Sequence, residues 1–252
     1  MSGHSHWATI KFKKAATDAK KGKLFSKIAR RVTLAAKTGG GDPNMNLELR
    51  YAMDDARAAN MPKDNVDRAV KKGTGELPGV SYEPALYEGY GPGGVAIMAE
   101  GLTDNRNRTA SEIRKVFERH GGNLGESRCV SWMFERRGVV SIPAAGVDED
   151  SLTMAVLDAG AENMERVGDF YEVTTDVSLL HKVKQALEAA GFKVESAQPR
   201  NVPKTLVELD ASAGRKVIRL IEALDDQEDI QNITSNFSIP DDVMAAIAAE
   251  EN

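Results

Sequence analysis

A single cysteine, Cys129, is present among 252 residues, so no disulfide can form within the chain and a reducing compartment is the natural setting. No run of about 18 apolar residues is available to cross a bilayer. The opening Met1-Ser2-Gly3-His4-Ser5-His6-Trp7 lacks the apolar core of a secretion signal. A soluble cytoplasmic protein without a membrane partner is expected. His4 and His6 offer two ligands with no Cys or His cluster elsewhere, which is too few for a metal site. Residues 89–94 are rich in glycine, yet no Gly-Lys-Ser/Thr follows and no helix starts there. They read as a tight strand connection, not a nucleotide loop. Cys129 has no evident catalytic partner and, within an apolar stretch, reads as core. The acidic runs Asp148-Glu149-Asp150 and Asp225-Asp226 through Asp229 read as solvated helix and loop surface. No enzyme, cofactor or small-molecule substrate is predicted.

What the chain does have is an uneven distribution of charge. Its net charge is −5, yet residues 1–37 hold ten Lys or Arg against the single acid Asp18, a net of +9, and the remainder carries −14. Self-repulsion of that kind is costly unless a polyanion relieves it, so the basic end is where nucleic acid is expected. At roughly 100° per residue, Phe25, Ile28, Ala29, Val32, Ala35 and Ala36 share one arc of a helix over residues 23–37, and Lys23, Lys27, Arg30, Arg31 and Lys37 share the opposite arc. Gly39-Gly40-Gly41 ends it. Upstream, Trp7 and Phe12 mix with Lys11, Lys13, Lys14, Lys20 and Lys21, a combination that stacks on exposed bases while neutralising phosphates. The plainer alternative is that the basic face is solvated and Trp7 and Phe12 anchor a core.

Periodicity organises the rest. Asp42-Pro43 supplies a cap and first-turn proline for a helix through Leu49, Ala52, Met53, Ala56 and Ala59, and a shorter helix starts at Met61-Pro62-Lys63-Asp64 and ends at Gly73. From Tyr82 the predicted order is strand 85–90, strand 95–102, helix 109–120 and strand 129–134. A βαββαβ pattern follows: strand 139–142, helix 149–159, strands 161–167 and 170–174, helix 179–190, strand 193–197. Residues 199–203 read as a linker. Strand 206–209, helix 215–224 and strand 229–236 are too short to bury a core alone and are expected to complete the sheet begun at Tyr82.

The fold class predicted is α+β with three domains. These are a basic helical domain at 1–77, a discontinuous α/β domain at 78–135 and 204–240, and a ferredoxin-like domain at 136–203 inserted into it. Residues 241–252 form a tail.

Several ordered strings carry a resemblance. They are Gly3-His4-Ser5-His6-Trp7 leading to Lys13-Lys14-Ala15-Ala16, Gly39-Gly40-Gly41-Asp42-Pro43, Ala59-Asn60-Met61-Pro62-Lys63-Asp64-Asn65, Glu88-Gly89-Tyr90-Gly91-Pro92-Gly93-Gly94, Thr103-Asp104-Asn105-Arg106-Asn107-Arg108-Thr109 and Gly121-Gly122-Asn123-Leu124-Gly125-Glu126. On these the chain resembles the YebC/PmpR family, whose mitochondrial members are translational activators of cytochrome c oxidase subunit 1. The resemblance implies the three-domain fold above and a role in gene expression without catalysis. It implies a DNA-binding transcriptional regulator, as for many bacterial members, or alternatively a ribosome-associated translation factor gripping ribosomal RNA. Starting directly on the family motif, the chain reads as a bacterial cytoplasmic member.

A second candidate contact is the 103–109 string. Arg106 and Arg108 sit just before a helix that Thr109 and Glu112 cap in a capping-box arrangement, so N–H groups and two guanidinium groups converge where a phosphate fits. The alternative is that Asp104 and the asparagines only shape the turn while the arginines pair with nearby acids. Arg136-Arg137-Gly138 reads as a solvated hinge. Six phosphate contacts would give a log–log salt dependence near about −5 on duplex DNA. The rival classes are an enzyme, which lacks a titratable cluster, and a protein-interaction scaffold whose basic arm meets an acidic partner. DNA against RNA, and the oligomeric state, are open at this level.

Overall fold

A computed structural model describes residues 18–240 and Val243 of the chain. It opens with three helices, α1 (Asp18–Gly39), α2 (Leu47–Ala58) and α3 (Lys63–Thr74). The arc foreseen on α1 is the buried one: Ile28, Val32 and Ala36 pack with Leu49, Ala52 and Ala56 of α2 and Val66 and Ala69 of α3. Two helix ends differ from expectation. The start of α2 is capped by Asn46, not Asp42, because the Asn46 side chain accepts from the Leu49 N–H while donating to the Ala35 and Gly40 carbonyls, tying α2 to the end of α1. The end of α3 is Gly75, in the left-handed region at φ 84°, and not Gly73. Gly73 has a packing role instead, since a Cβ there would stand 2.4 Å from the Thr33 carbonyl oxygen of α1.

The chain then runs β1 (Glu83–Tyr90), β2 (Ala96–Thr103), α4 (Arg106–Arg119), β3 (Asn123–Leu124), β4 (Phe134–Pro143), α5 (Glu149–Ala159), β5 (Asn163–Val167), β6 (Phe170–Thr175), α6 (Leu180–Ala189), β7 (Ser196–Pro203), β8 (Val207–Glu208), α7 (Ala211–Asp225), β9 (Ile230–Ser235) and β10 (Phe237–Ser238). One antiparallel sheet has the order β3-β1-β2-β9, so the segment after residue 203 does return to it, through β9 beside β2. Its core joins Ile97 and Ala99 to Ile113 and Phe117 of α4 and Val217, Leu220, Ile221 and Leu224 of α7. The other four-stranded sheet has the order β5-β6-β4-β7, the arrangement of a ferredoxin-like βαββαβ unit, with Val140, Ile142 and Val173 packed against Leu152, Val156, Val183 and Leu187. The fold is therefore α+β, a helical unit followed by two α/β units, one running in sequence between the two parts of the other.

Three segments depart from the sequence reading. Residues 199–203 are not a linker but most of β7, paired with β4 from Pro203↔Phe134 to Ser196↔Ser141; β7 is a sheet edge, where a proline's missing N–H costs no ladder bond. Residues 129–133 are not strand. The Arg128, Val130 and Ser131 N–H groups all donate to the buried Glu88 carboxylate, at 2.8, 3.0 and 2.7 Å, which removes them from any ladder, and a short turn of 3₁₀ helix at Ser131–Met133 leads into β4. Finally, β8 pairs in parallel with β10 as a separate ribbon and does not enter the sheet that β9 completes.

Candidate nucleic-acid interface

The basic face of α1 is not solvated along its length. Lys23, Lys27 and Arg30 recur at helical spacing and meet the turn that follows α7, the run read from sequence as solvated acid. Lys23 pairs with Asp226 at 3.0 Å; Lys27 reaches the Asp225 carboxylate at 3.0 Å and its carbonyl at 2.6 Å. Arg30 pairs with Glu228 at 3.2 Å and with Asp229, donates to the Glu228 carbonyl at 2.8 Å, and lies 5.3 Å from the centre of the Tyr82 ring. Side-chain exposure of Lys27 and Arg30 is only 12% and 14%. Arg31 pairs with Asp55 of α2 at 2.5 Å, both side chains partly open to solvent, and Lys37 donates to Ser81. The physical reason is proximity: folding brings the acidic turn beside the cationic stripe of α1.

Asp229 is the centre of this contact and its carboxylate is 7% exposed. It accepts from Arg108 at 2.9 Å and the Thr109 hydroxyl at 2.5 Å as well as from Arg30. Burial pushes its pKa up, but the Thr109, Arg108 and Arg30 donors more than offset that, so the carboxyl ionises below its ordinary range. The start of α4 is likewise corrected. Asn105, not Thr109, is the cap, accepting from the Arg108 N–H at 3.1 Å, while the Thr109 hydroxyl faces Thr103 at 2.7 Å. The anion beside this helix start is the chain's own Asp229. Arg106 stands apart, paired with Glu83 at 2.8 Å and bonded to the Pro84 carbonyl. The local-pairing alternative is the one the geometry matches for both arginines.

Cations without such partners lie on α3. Lys63, Arg68, Lys71 and Lys72 make no ion pair among the described residues. Arg68 and Lys72, four residues apart on one helical face, line a cleft of about 680 Å³ with Phe25, Arg30 and Tyr82, between the helical unit and the segment leading to β1. The sequence alone did not mark these four as a contact, because a few cations on a short helix that also carries Asp64 and Asp67 read as ordinary surface; the i, i+4 spacing of Arg68 and Lys72 was the signal. Lys21 is exposed on α1. Trp7, Phe12, Lys11, Lys13, Lys14, His4 and His6 lie outside the described residues, as does the Lys20 side chain.

The other motifs are structural. Arg137 is no hinge residue but sits in β4 between Glu135 and Glu162, at 3.2 and 2.7 Å. Asp148 caps α5 through the Ser151 N–H. Burial and the neighbouring Glu88 carboxylate push the Cys129 thiol up, away from the reactive thiolate. Among the described residues no group of three His, Cys, Asp or Glu side chains is placed to hold a metal, and no helix is long and apolar enough to cross a membrane.

Comparison with known proteins covers both parts of the chain. Residues 5–76 match the family described as TACO1/YebC protein N-terminal domain, and residues 82–237 the one described as TACO1/YebC second and third domain. A protein of Dictyoglomus turgidum named "Probable transcriptional regulatory protein" is 51% identical over 249 residues, covering 98% of this chain and 100% of the relative. One of Geobacter sulfurreducens with the same designation is 50% identical over 244 residues, covering 97% and 98%. The crystal structure of a conserved hypothetical protein from Aquifex aeolicus superposes with a TM-score of 0.83 at 45% identity, covering 90% of this chain and 94% of that one.

Proposed function

The chain belongs to the TACO1/YebC family, and on that premise we propose that it is a regulator of transcription that binds DNA through the cationic surface of its helical unit, without catalysis. One observation carries the reading: Lys63, Arg68, Lys71 and Lys72, on one helix of a chain of net charge −5, make no ion pair among the described residues. Residues 18–75 hold 13 Lys or Arg against 7 Asp or Glu, so the helical unit stays positive even without the residues before it. Phosphates relieve that repulsion and release counterions, which gives affinity and register but no sequence information. The name carried by the relatives points to DNA as the polyanion. In sequence, Lys11, Lys13, Lys14, Lys20 and Lys21 add to that positive charge, and Trp7 and Phe12 would supply stacking groups for any unpaired base.

The test is fluorescence anisotropy with a labelled duplex, comparing the wild type with Lys63→Glu/Arg68→Glu/Lys72→Glu. Each lost phosphate contact lowers the log–log salt slope by about 0.9, so the variant binds weakly and with a slope shallower by about 2.7. Equal binding and slope in the two proteins would remove α3 from the interface. Purified ribosomes competing far better than unlabelled duplex would replace the transcriptional reading with a translational one.

A further inference from the structure

Asp225, Asp226, Glu228 and Asp229 hold Lys23, Lys27 and Arg30 where the phosphates of a bound polyanion would. We propose that this acidic turn is a self-docked latch, which closes that face of α1 until nucleic-acid phosphates displace it and the helical unit swings away from the sheet. The inference rests on the nucleic-acid reading above and deepens it.

Four observations converge on the latch. The first is charge density. Four carboxylates in five consecutive residues, at the end of α7 and in the turn after it, concentrate negative charge in one short segment as a run of phosphates does. The cations they meet, at positions 23, 27 and 30, form a single stripe along α1.

The second is the nature of the contact. The helical core is closed on itself, every apolar member lying between Phe25 and Val70, so what joins α1 to the turn after α7 is ion pairs and hydrogen bonds to the Asp225 and Glu228 carbonyls. The Lys23–Asp226 pair is open to water and so weak and screened by salt, the mostly buried Lys27 and Arg30 pairs are screened less, and polar contacts between units of one chain permit relative motion.

The third is what remains after opening. Asp229 keeps Arg108 and Thr109, both on its own side of the contact, so the departure of Arg30 does not strand a buried charge. The fourth is continuity. Arg30 lines the same cleft as the unpaired Arg68 and Lys72, so an opened latch joins the α1 stripe to the α3 cations in one surface. The joint is at hand in the segment from Gly75, with its left-handed φ, to Tyr82, which carries no helix or strand.

The experiment uses the full chain with Cys129→Ser and spin labels at Met45→Cys and Lys115→Cys, two exposed positions on the helical unit and on α4. Interlabel distances are measured for the wild-type turn and for Asp225→Asn/Asp226→Asn/Glu228→Gln, which leaves Asp229 intact. The latch predicts one narrow distance at about 0.05 M salt that broadens to longer values near about 0.5 M. It also predicts the broad distribution in the variant at low salt, a shift of the wild type toward it on adding duplex DNA, and a duplex affinity three- to tenfold tighter, by about 0.7–1.4 kcal/mol, in the variant. A distribution that neither salt nor the substitutions alter overturns the latch. Opening with salt and substitution, but no duplex binding by either protein, overturns the nucleic-acid reading and with it the occupant assigned to the face.

Discussion

Two carboxylates, Asp229 and Glu88, carry more of the structure than the sequence suggests. Each is buried within 8% exposure or less and satisfied by donors far away in the chain: Asp229 by Arg30, Arg108 and Thr109, Glu88 by three backbone N–H groups of the loop at 128–131. For Glu88, as for Asp229, burial pushes the pKa up and the hydrogen bonds more than reverse it, leaving both groups ionising below their ordinary values. The sign for stability follows. A carboxyl held low in the folded state binds its proton less tightly than in the unfolded chain, so its stabilisation is fully present above the ordinary carboxylate range. It is lost as pH falls through that range toward the folded-state value. Asp229→Asn is expected to cost about 1.5–3 kcal/mol at pH 7, measured by urea unfolding, and the gap between variant and wild type narrows below about pH 4. Undiminished difference at low pH would mean that Asp229 acts by packing alone. Glu88→Gln should lose a similar amount and loosen the 128–131 backbone, read as faster amide exchange at Val130 and Ser131. Neither role was legible beforehand. Asp229 stood in a run of acids that looked solvated, and its partners are 120 or more positions distant. Glu88 stood out only as the first residue of a string that carries the family resemblance.

At the scale of elements the periodic pattern was a good guide wherever one face had to be buried. The apolar arc of α1, the helix at Glu149–Ala159 and the βαββαβ order all stand where the sequence put them. Boundaries set by side-chain hydrogen bonds were not legible, because Asn46 and Asn105 compete with equally plausible caps a few residues away. Proline misled at β7, where the edge position removes its usual penalty. Glycine misled at Gly73, whose missing Cβ serves the crossing of α3 over α1, a contact no single-helix pattern encodes. Gly73→Ala should force these helices apart, since the added carbon would stand 2.7 Å from the Ala36 Cβ as well as 2.4 Å from the Thr33 carbonyl. A loss of about 1–3 kcal/mol in urea unfolding is expected. A neutral or stabilising effect, as alanine gives in an unconstrained helix, would show that α1 and α3 are not held this close.

Over the whole molecule the unequal charge distribution seen in the sequence survives folding but is rearranged. Part of the basic face expected to await nucleic acid is closed by the chain's own acids, and four cations that make no ion pair among the described residues lie on α3, two helices further along. The opposite charges of two segments some 200 residues apart could be counted in advance; that they meet could not, because tertiary proximity leaves no local trace. Lysine footprinting reads the proposed DNA contact directly: amine acetylation of the native protein, followed residue by residue, with and without duplex DNA. Protection is predicted at Lys63, Lys71 and Lys72, with Lys115, Lys182 and Lys193 acetylated to the same extent in both samples. Protection confined to the latter group, or none anywhere at saturating DNA, would contradict the assignment of the helical unit as the nucleic-acid surface.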